Sequence, residues 1–173
     1  MFIYNVLMSI LKSNITARRL ALVAKQRFPL FHLKDLANLW GISKLSSLRI
    51  LLKRYTDAGI LYRVYRGLYS LVPVSDLDPV LLGAKALHRY CYLTTETILF
   101  REGYISQHGG YSTYASDFSK RFELGGHQFI SRQLSLRFLM NDAGIIRTQD
   151  GVLEASLERS IAEMGIYPAV DPL

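Results

Sequence analysis

The 173-residue sequence has few of the residues that build disulfides, metal sites and catalytic centres. Its one cysteine, Cys91, stands in an apolar run, which excludes an intramolecular disulfide and indicates a reducing compartment. The four histidines are not spaced with cysteines or carboxylates as zinc ligands are. No glycine-rich phosphate loop with its lysine occurs. We therefore expect no catalytic residues, no bound metal and no cofactor.

Long apolar runs are absent as well. No stretch has the roughly 20 predominantly apolar residues that a membrane-spanning helix needs. The N-terminal segment MFIYNVLMSILK lacks the basic start and the small-residue cleavage site of a signal peptide. The composition, 50% hydrophobic and 20% charged, is typical of globular proteins. These features predict a cytoplasmic protein that makes no membrane contact.

Acidic residues are scarce in one half only. Residues 1–72 contain 12 of the 21 Lys and Arg but only Asp35 and Asp57 of the 14 acids, a formal charge of +10. Residues 73–173 contain the other 9 bases and 12 acids, a formal charge of −3. This asymmetry predicts a polyanion as the partner of the N-terminal part and a different role for the rest.

The N-terminal half begins with helical patterns. Apolar residues at helical spacing predict one helix over residues 15–28, ended by Pro29, and another over 33–39, ended by Gly41. An earlier amphipathic helix is expected between Phe2 and Leu11. That helix either packs on the following domain or pairs with a second copy of the chain.

A third helix and a hairpin follow. Ser43 is expected to cap a helix that runs to about Ala58, with apolar residues at spacings of three and four. Residues 60–64 and 68–72 then alternate as two strands, joined by a tight turn in which Gly67 supplies the positive φ. Two helices and a hairpin with a basic tip predict a winged helix-turn-helix. In that motif the second helix enters the DNA major groove and the hairpin lies along the backbone.

Side chains on this helix and hairpin are candidates for DNA contacts. The helix carries hydroxyls near its start and bases in its middle, and the hairpin adds arginine and tyrosine. Such groups bind base edges and phosphates. The candidates are Lys44, Ser46, Ser47, Arg49, Lys53, Arg54, Arg63, Tyr65 and Arg66. A helix face that is merely solvated would carry similar charges. The basic hairpin and the charge asymmetry favour DNA binding over this alternative.

Beyond residue 72 the pattern changes. Residues 73–79, PVSDLDP, interrupt the periodicity where the charge balance changes sign, and they predict a linker. The linker separates a DNA-binding domain over 1–72 from a small mixed α/β domain over 80–173, so the expected fold class is α+β. The second domain is expected to contain helices over 79–87 and 95–103 and strands over 90–93, 112–118, 120–124, 128–134, 136–140 and 144–148. A last helix is expected over 153–164, with Leu153, Leu157, Ile161 and Met164 in register on its apolar face.

Three segments together resemble a known family. The run KDLANLWGISKLSSLRILLKRYTDAGILYRVYRGLYSL is similar to the winged-helix domain of the AbiEi-like antitoxins of type IV toxin–antitoxin systems. The segment RYCYLTTETILFREGYIS is similar to the family's strand that leads into a helix. The segment GVLEASLERSIAEMGIY is similar to its late helix with an acid–arginine pair, here Glu158 and Arg159, although Glu163 stands where we expect aspartate. The resemblance covers most of the chain in the right order.

The resemblance implies a DNA-binding autorepressor of an abortive-infection system. Its N-terminal domain would bind inverted repeats in the operon's own promoter, with two copies on the DNA because a palindromic site mirrors two-fold protein symmetry. Its C-terminal domain would counter a nucleotidyltransferase-like toxin without forming a stable complex with it.

Three other functions fit parts of the sequence. The winged domain could be a protein-interaction adaptor whose basic surface is incidental. A DNA-processing nuclease would need a metal site, for which Asp117, Glu123, Glu154 and Glu158 are the available acids, but their spacing does not support one. A ligand-sensing repressor would need an effector site in the second domain. Glu158 and Arg159 are expected instead to form an internal ion pair or a structural contact.

Overall fold

The structure, a computed structural model, describes residues 14–167. The helix predicted between Phe2 and Leu11 therefore lies outside the described residues. The described chain is a mixed α+β protein with two sheets, which confirms the predicted fold class. It divides between Asp76 and Leu77 into two compact units, and this boundary falls inside the predicted linker.

The first unit combines helices with a three-stranded sheet. Residues 14–24 are helical (α1), so this helix ends well before Pro29, where the sequence analysis placed its end. The further elements are β1 (Leu30–His32), α2 (Leu33–Trp40), α3 (Leu45–Asp57), β2 (Tyr62–Tyr65) and β3 (Leu68–Ser70). Strand β1 was not predicted, and it pairs antiparallel with β3 in the sheet order β1-β3-β2.

The turns of this unit follow the predicted glycines. Gly41, at φ 64°, ends α2, and Gly67, at φ 97°, completes the tight turn between β2 and β3. A side chain would be strained at either position. The predicted Ser43 cap is wrong, because α3 begins at Leu45 after Lys44 and no side chain caps it.

The core of the first unit joins α1, α2 and α3 to the sheet. The indole N–H of Trp40 donates to the carbonyl of Arg19 at 3.1 Å, and the hydroxyl of Tyr55 donates to that of Thr16 at 3.3 Å. These bonds fix α1 against the other two helices. The buried residues of this core are Val23, Phe31, Leu36, Ala37, Leu48, Leu52, Tyr55, Leu61 and Tyr69.

The second unit is built on a six-stranded mixed sheet, and a 3₁₀ turn (Val74–Asp76) precedes it. Its elements are α4 (Pro79–Leu87), β4 (Tyr92–Leu93), α5 (Glu96–Arg101), β5 (Tyr111–Ser116), β6 (Lys120–Leu124), β7 (His127–Gln133), α6 (Leu136–Leu139), β8 (Ile145–Arg147), β9 (Leu153–Ala155) and α7 (Leu157–Met164). The strand order in the sheet is β6-β7-β5-β4-β9-β8. The β5–β7 and β4–β9 pairs are parallel, and the other pairs are antiparallel.

Two predictions for the end of the chain are wrong. Residues 136–140 were expected to form a strand, but most of this segment is α6. A single helix was expected over 153–164, but the segment forms a strand, β9, followed by a helix, α7. Ser156 lies between them and caps α7, because its hydroxyl accepts a hydrogen bond from the N–H of Arg159. Local apolar spacing did not distinguish these alternatives, because the pairing of β9 with β4 and β8 depends on distant residues.

The face that α7 buries is also different from the predicted one. Ile161 and Met164 were expected to face inward, yet they are 48% and 37% exposed, and the polar Ser160 and Glu163 are buried instead. Arg159 pairs with Glu163 at 2.8 Å rather than with its neighbour Glu158. The helix therefore docks through hydrogen bonds and an ion pair as well as through apolar contacts.

Replacement of Thr113 by valine is expected to raise the free energy of unfolding by about 1 kcal/mol, because it removes a buried hydroxyl without a hydrogen-bond partner among residues 14–167. Urea denaturation measures the change. Thr97→Val is the matched control: its hydroxyl accepts the N–H of Thr113 at 2.8 Å, so its loss should be destabilising. Equal destabilisation by both substitutions would contradict the prediction.

Candidate nucleic-acid interface

Helix α3 has one buried face and one polar face. Leu48, Leu52 and Tyr55 are buried in the core of the first unit, and they lie at the spacing of three and four residues that places side chains on one side of a helix. The predicted contact residues of α3 are all exposed, as is Lys44, which immediately precedes the helix. The helix therefore presents its cations and hydroxyls to solvent.

A groove lies between the polar face of α3 and the β2–β3 hairpin. Its volume is about 590 Å³. Four of the nine predicted contact residues line it, two from the helix (Arg49 and Lys53) and two from the hairpin (Arg63 and Arg66). Because these residues are up to 17 positions apart, only the fold brings their charges together. The remaining lining residues are Leu33, Thr56, Asp57, Gly67 and Tyr69.

The other five predicted residues lie outside this groove. Lys44, Ser46 and Ser47 lie at the beginning of α3, and Arg54 is on the same helix on a flank that does not face the hairpin groove. Tyr65 ends β2 and is half-buried. Burial raises the pKa of its phenol, so the group is neutral and able to donate a hydrogen bond at physiological pH.

One carboxylate lies among the cations of the groove. Asp57 accepts a hydrogen bond from the Lys53 ammonium at 2.7 Å, four residues earlier on α3. Both side chains are mostly exposed, at 60% and 75%, so the pair stabilises the helix only slightly and opens readily. The lining therefore contains four cations and one anion, so its net charge is positive.

Sequence reasoning missed two residues of this surface. Thr56 lines the groove, and its hydroxyl donates to the carbonyl of Lys53 at 2.8 Å. Ile50 is 58% exposed on the polar side of α3, although it is strongly apolar. The exposure of Ile50 could have been predicted from its position in the sequence, since it lies outside the helical register of the buried residues Leu48, Leu52 and Tyr55.

The acids considered as metal ligands are held by arginines or lie apart. Asp117 accepts from Arg89 at 2.8 Å, and Glu154 accepts from Arg101 at 2.7 Å. Between residues 14 and 167, no three or more histidines, cysteines, aspartates or glutamates are grouped as metal ligands would be. Cys91 is buried, and its burial raises the pKa of the thiol to about 12. No helix in the described part of the chain is both long enough and apolar enough to cross a membrane.

Comparison with known proteins shows similarity at the level of fold. No protein-family model and no curated protein matches the sequence. Among solved structures, the chain is similar to the RV2827C protein from Mycobacterium tuberculosis, with a TM-score of 0.52 and 13% identity. The alignment covers 87% of this chain and 60% of that one. At this identity the similarity shows a shared fold and carries no information about function.

Proposed function

We propose that this protein is a transcriptional repressor that binds double-stranded DNA through a winged helix-turn-helix in its first unit. The observation that carries the proposal is the convergence of Arg49, Lys53, Arg63 and Arg66 on one groove between α3 and the hairpin. The order of α1, β1, α2, α3 and the β2–β3 hairpin supports the proposal, because a winged helix would have its helices and hairpin in this order. In this interpretation α3 enters the major groove and the hairpin contacts the sugar–phosphate backbone.

The charge distribution supports a DNA partner over a protein partner. Residues 1–72 have a formal charge of +10, and the groove adds an exposed, local concentration of positive charge. Duplex DNA carries one negative charge per about 1.7 Å of its axis, so cations that neutralise its phosphates release condensed counterions on binding. A protein-binding adaptor would gain no such contribution from these cations.

The wider role rests on the resemblance to the AbiEi-like antitoxins. We propose that the chain represses its own promoter at inverted repeats, with two copies on the DNA. We also propose that it counters a nucleotidyltransferase-like toxin without a stable complex, as part of an abortive-infection system in the cytoplasm. In this role it has no enzymatic activity, and its second unit supplies the antitoxin function.

Salt dependence tests the DNA-binding groove. Affinity of the full chain for a random duplex is expected to fall steeply with salt, and Arg63→Ala should make the slope of log K against log salt shallower by about 0.9 for each lost phosphate contact. Fluorescence anisotropy of a labelled duplex measures both. Arg137→Ala is the matched control, because Arg137 is equally cationic and exposed but belongs to the second unit. Identical slopes for the two variants would contradict the groove as the DNA site.

A further inference from the structure

Helix α3 carries an isoleucine where a solvated or purely phosphate-binding helix would carry a polar residue. Ile50 is 58% exposed, the most exposed large apolar side chain among residues 14–76, ahead of Ile15 at 49% and Tyr62 at 38%. Its exposed neighbours one turn away on the helix, Ser46 and Lys53, are both polar.

The direction of Ile50 follows from helix geometry. At about 100° per residue, it lies roughly 160–170° around α3 from the mean direction of Leu48, Leu52 and Tyr55. It therefore points almost directly away from the core. Arg49 lies on the side of the helix that faces the hairpin, where it lines the groove. Ile50 is thus at the centre of the outward face, and Arg49 is at its flank.

This position decides which DNA group the side chain would meet. When a helix lies in the major groove, the residue opposite its core face points to the base edges, whereas a flanking residue reaches a base edge or the backbone only through a long side chain such as arginine. The base edges of the major groove display donors, acceptors and one apolar group, the 5-methyl of thymine. An isoleucine that faced only donors and acceptors would leave them without hydrogen bonds, at a cost in free energy. The methyl group is the one partner that it fits.

We infer that Ile50 determines specificity by packing against a thymine 5-methyl group in the DNA site. The inference rests on the proposed DNA binding through α3 and adds to it a preference for an A·T pair at one position of each half-site. The hydroxyls of Ser46 and Ser47 and the cations Lys53 and Arg54 surround this contact on the same helix.

Replacement of thymine by uracil tests this contact, because it removes the methyl group and nothing else. A duplex site is first selected from a random library with the full chain, and each thymine is then replaced singly by uracil. One replacement per half-site is expected to weaken wild-type binding about three- to fivefold, as the loss of one buried methyl group does. The Ile50→Ala variant should bind the thymine and uracil duplexes equally well.

The matched control is Ile15→Ala, which removes a comparably exposed isoleucine outside α3 and should retain the wild-type response to uracil. Thermal melting checks that both variants fold. We expect both to fold, because the Ile50 and Ile15 side chains are largely exposed and contribute little to the core. A selected site at which no uracil replacement matters, or an Ile50→Ala variant that keeps the wild-type response, would overturn this inference alone. Failure to select any site, with no salt-sensitive duplex binding, would overturn the proposed function itself.

Discussion

Replacing Arg159 by methionine is expected to lower the free energy of unfolding of the second unit by about 3–5 kcal/mol, the cost of breaking a buried ion pair from one side. The guanidinium bonds Glu163 through Nε at 2.8 Å, and its Nη2 donates to the hydroxyl of Tyr92 at 2.9 Å. It also donates to three backbone carbonyls, those of Phe138, Asn141 and Ala143. One side chain thus joins α7 to β4, to α6 and to the loop before β8.

The carboxylate that the substitution leaves behind explains the size of this effect. Glu163 is 4% exposed and accepts hydrogen bonds from the hydroxyls of Tyr92, at 2.6 Å, and Thr94, at 2.7 Å. Burial and the hydrogen bond to Glu163 raise the pKa of Tyr92, so the phenol remains a donor. These two hydroxyls do not neutralise the charge. Without Arg159, the buried carboxylate loses its ion-pair partner, and three backbone carbonyls, one in α6 and two in the loop before β8, lose a donor.

Peptide-resolved hydrogen exchange measures the loss of stability in the second unit. Fluorescence of Trp40, the one tryptophan, reports separately on unfolding of the first unit. The double variant Arg159→Met/Glu163→Leu should recover much of the stability, since apolar replacement of both partners removes the unpaired charge. Arg137→Met, on an exposed arginine, is the control and should change stability by less than about 0.5 kcal/mol. A loss of that small size for Arg159→Met would contradict the account of Arg159 as the central contact of α7.

Arg49→Ala is expected to weaken binding to the cognate DNA site by about 1–3 kcal/mol, if the arginine donates to a guanine in the major groove. Arg49 is exposed on α3 and lines the groove, so the substitution removes a DNA contact without disturbing the core. The affinity that Arg49→Ala loses on random DNA should be much smaller than the affinity it loses on the cognate site. Anisotropy titrations with cognate and scrambled duplexes at one salt concentration give both values.

Arg66→Ala is the comparison that separates base reading from phosphate binding. Arg66 is an exposed cation of the same groove, in the turn of the β2–β3 hairpin. A phosphate contact carries no sequence information, so this variant should lose affinity equally on cognate and random DNA. If Arg49→Ala also loses affinity equally on both, Arg49 binds phosphate and does not read a base.

The first unit was predictable because its signals are local. Gly41 and Gly67 mark turns that need a positive φ, and the spacing of Leu48, Leu52 and Tyr55 identifies the inward side of α3. The missed strand, β1, has three residues and exists through its pairing with β3, about 38 positions later. No property of so short a segment distinguishes it from the end of a helix.

The second unit was less predictable because much of what it buries is polar. Apolar spacing assigned the inward face of α7 to Ile161 and Met164, whereas Ser160 and Glu163 occupy it. A buried carboxylate is stable there only because Arg159, Tyr92 and Thr94 converge on it from other elements or other turns. Such complementarity between distant side chains is not visible as periodicity.

The candidate interface was only partly predictable, because its residue types are local features but its groove depends on contacts between distant segments. Residue type and helix position predicted nine candidate contact residues, all exposed or half-buried in the structure. Which of the candidates line the groove depends on where the hairpin lies against α3. That arrangement separates Arg49 from Ile50, adjacent residues with different expected roles. Ile50 was missed because an apolar residue in an amphipathic helix is ordinarily assigned to the core.

Binding of the full chain to the DNA upstream of its own gene distinguishes a sequence-specific repressor from a generic basic protein. A scrambled duplex of the same composition is the reference, and both are titrated at several salt concentrations. A repressor of its own promoter should show a clear preference for the upstream duplex, an affinity that falls steeply with salt, and loss of the preference in Arg49→Ala. Equal binding to both duplexes at every salt concentration would contradict the claim that this protein is a sequence-specific repressor.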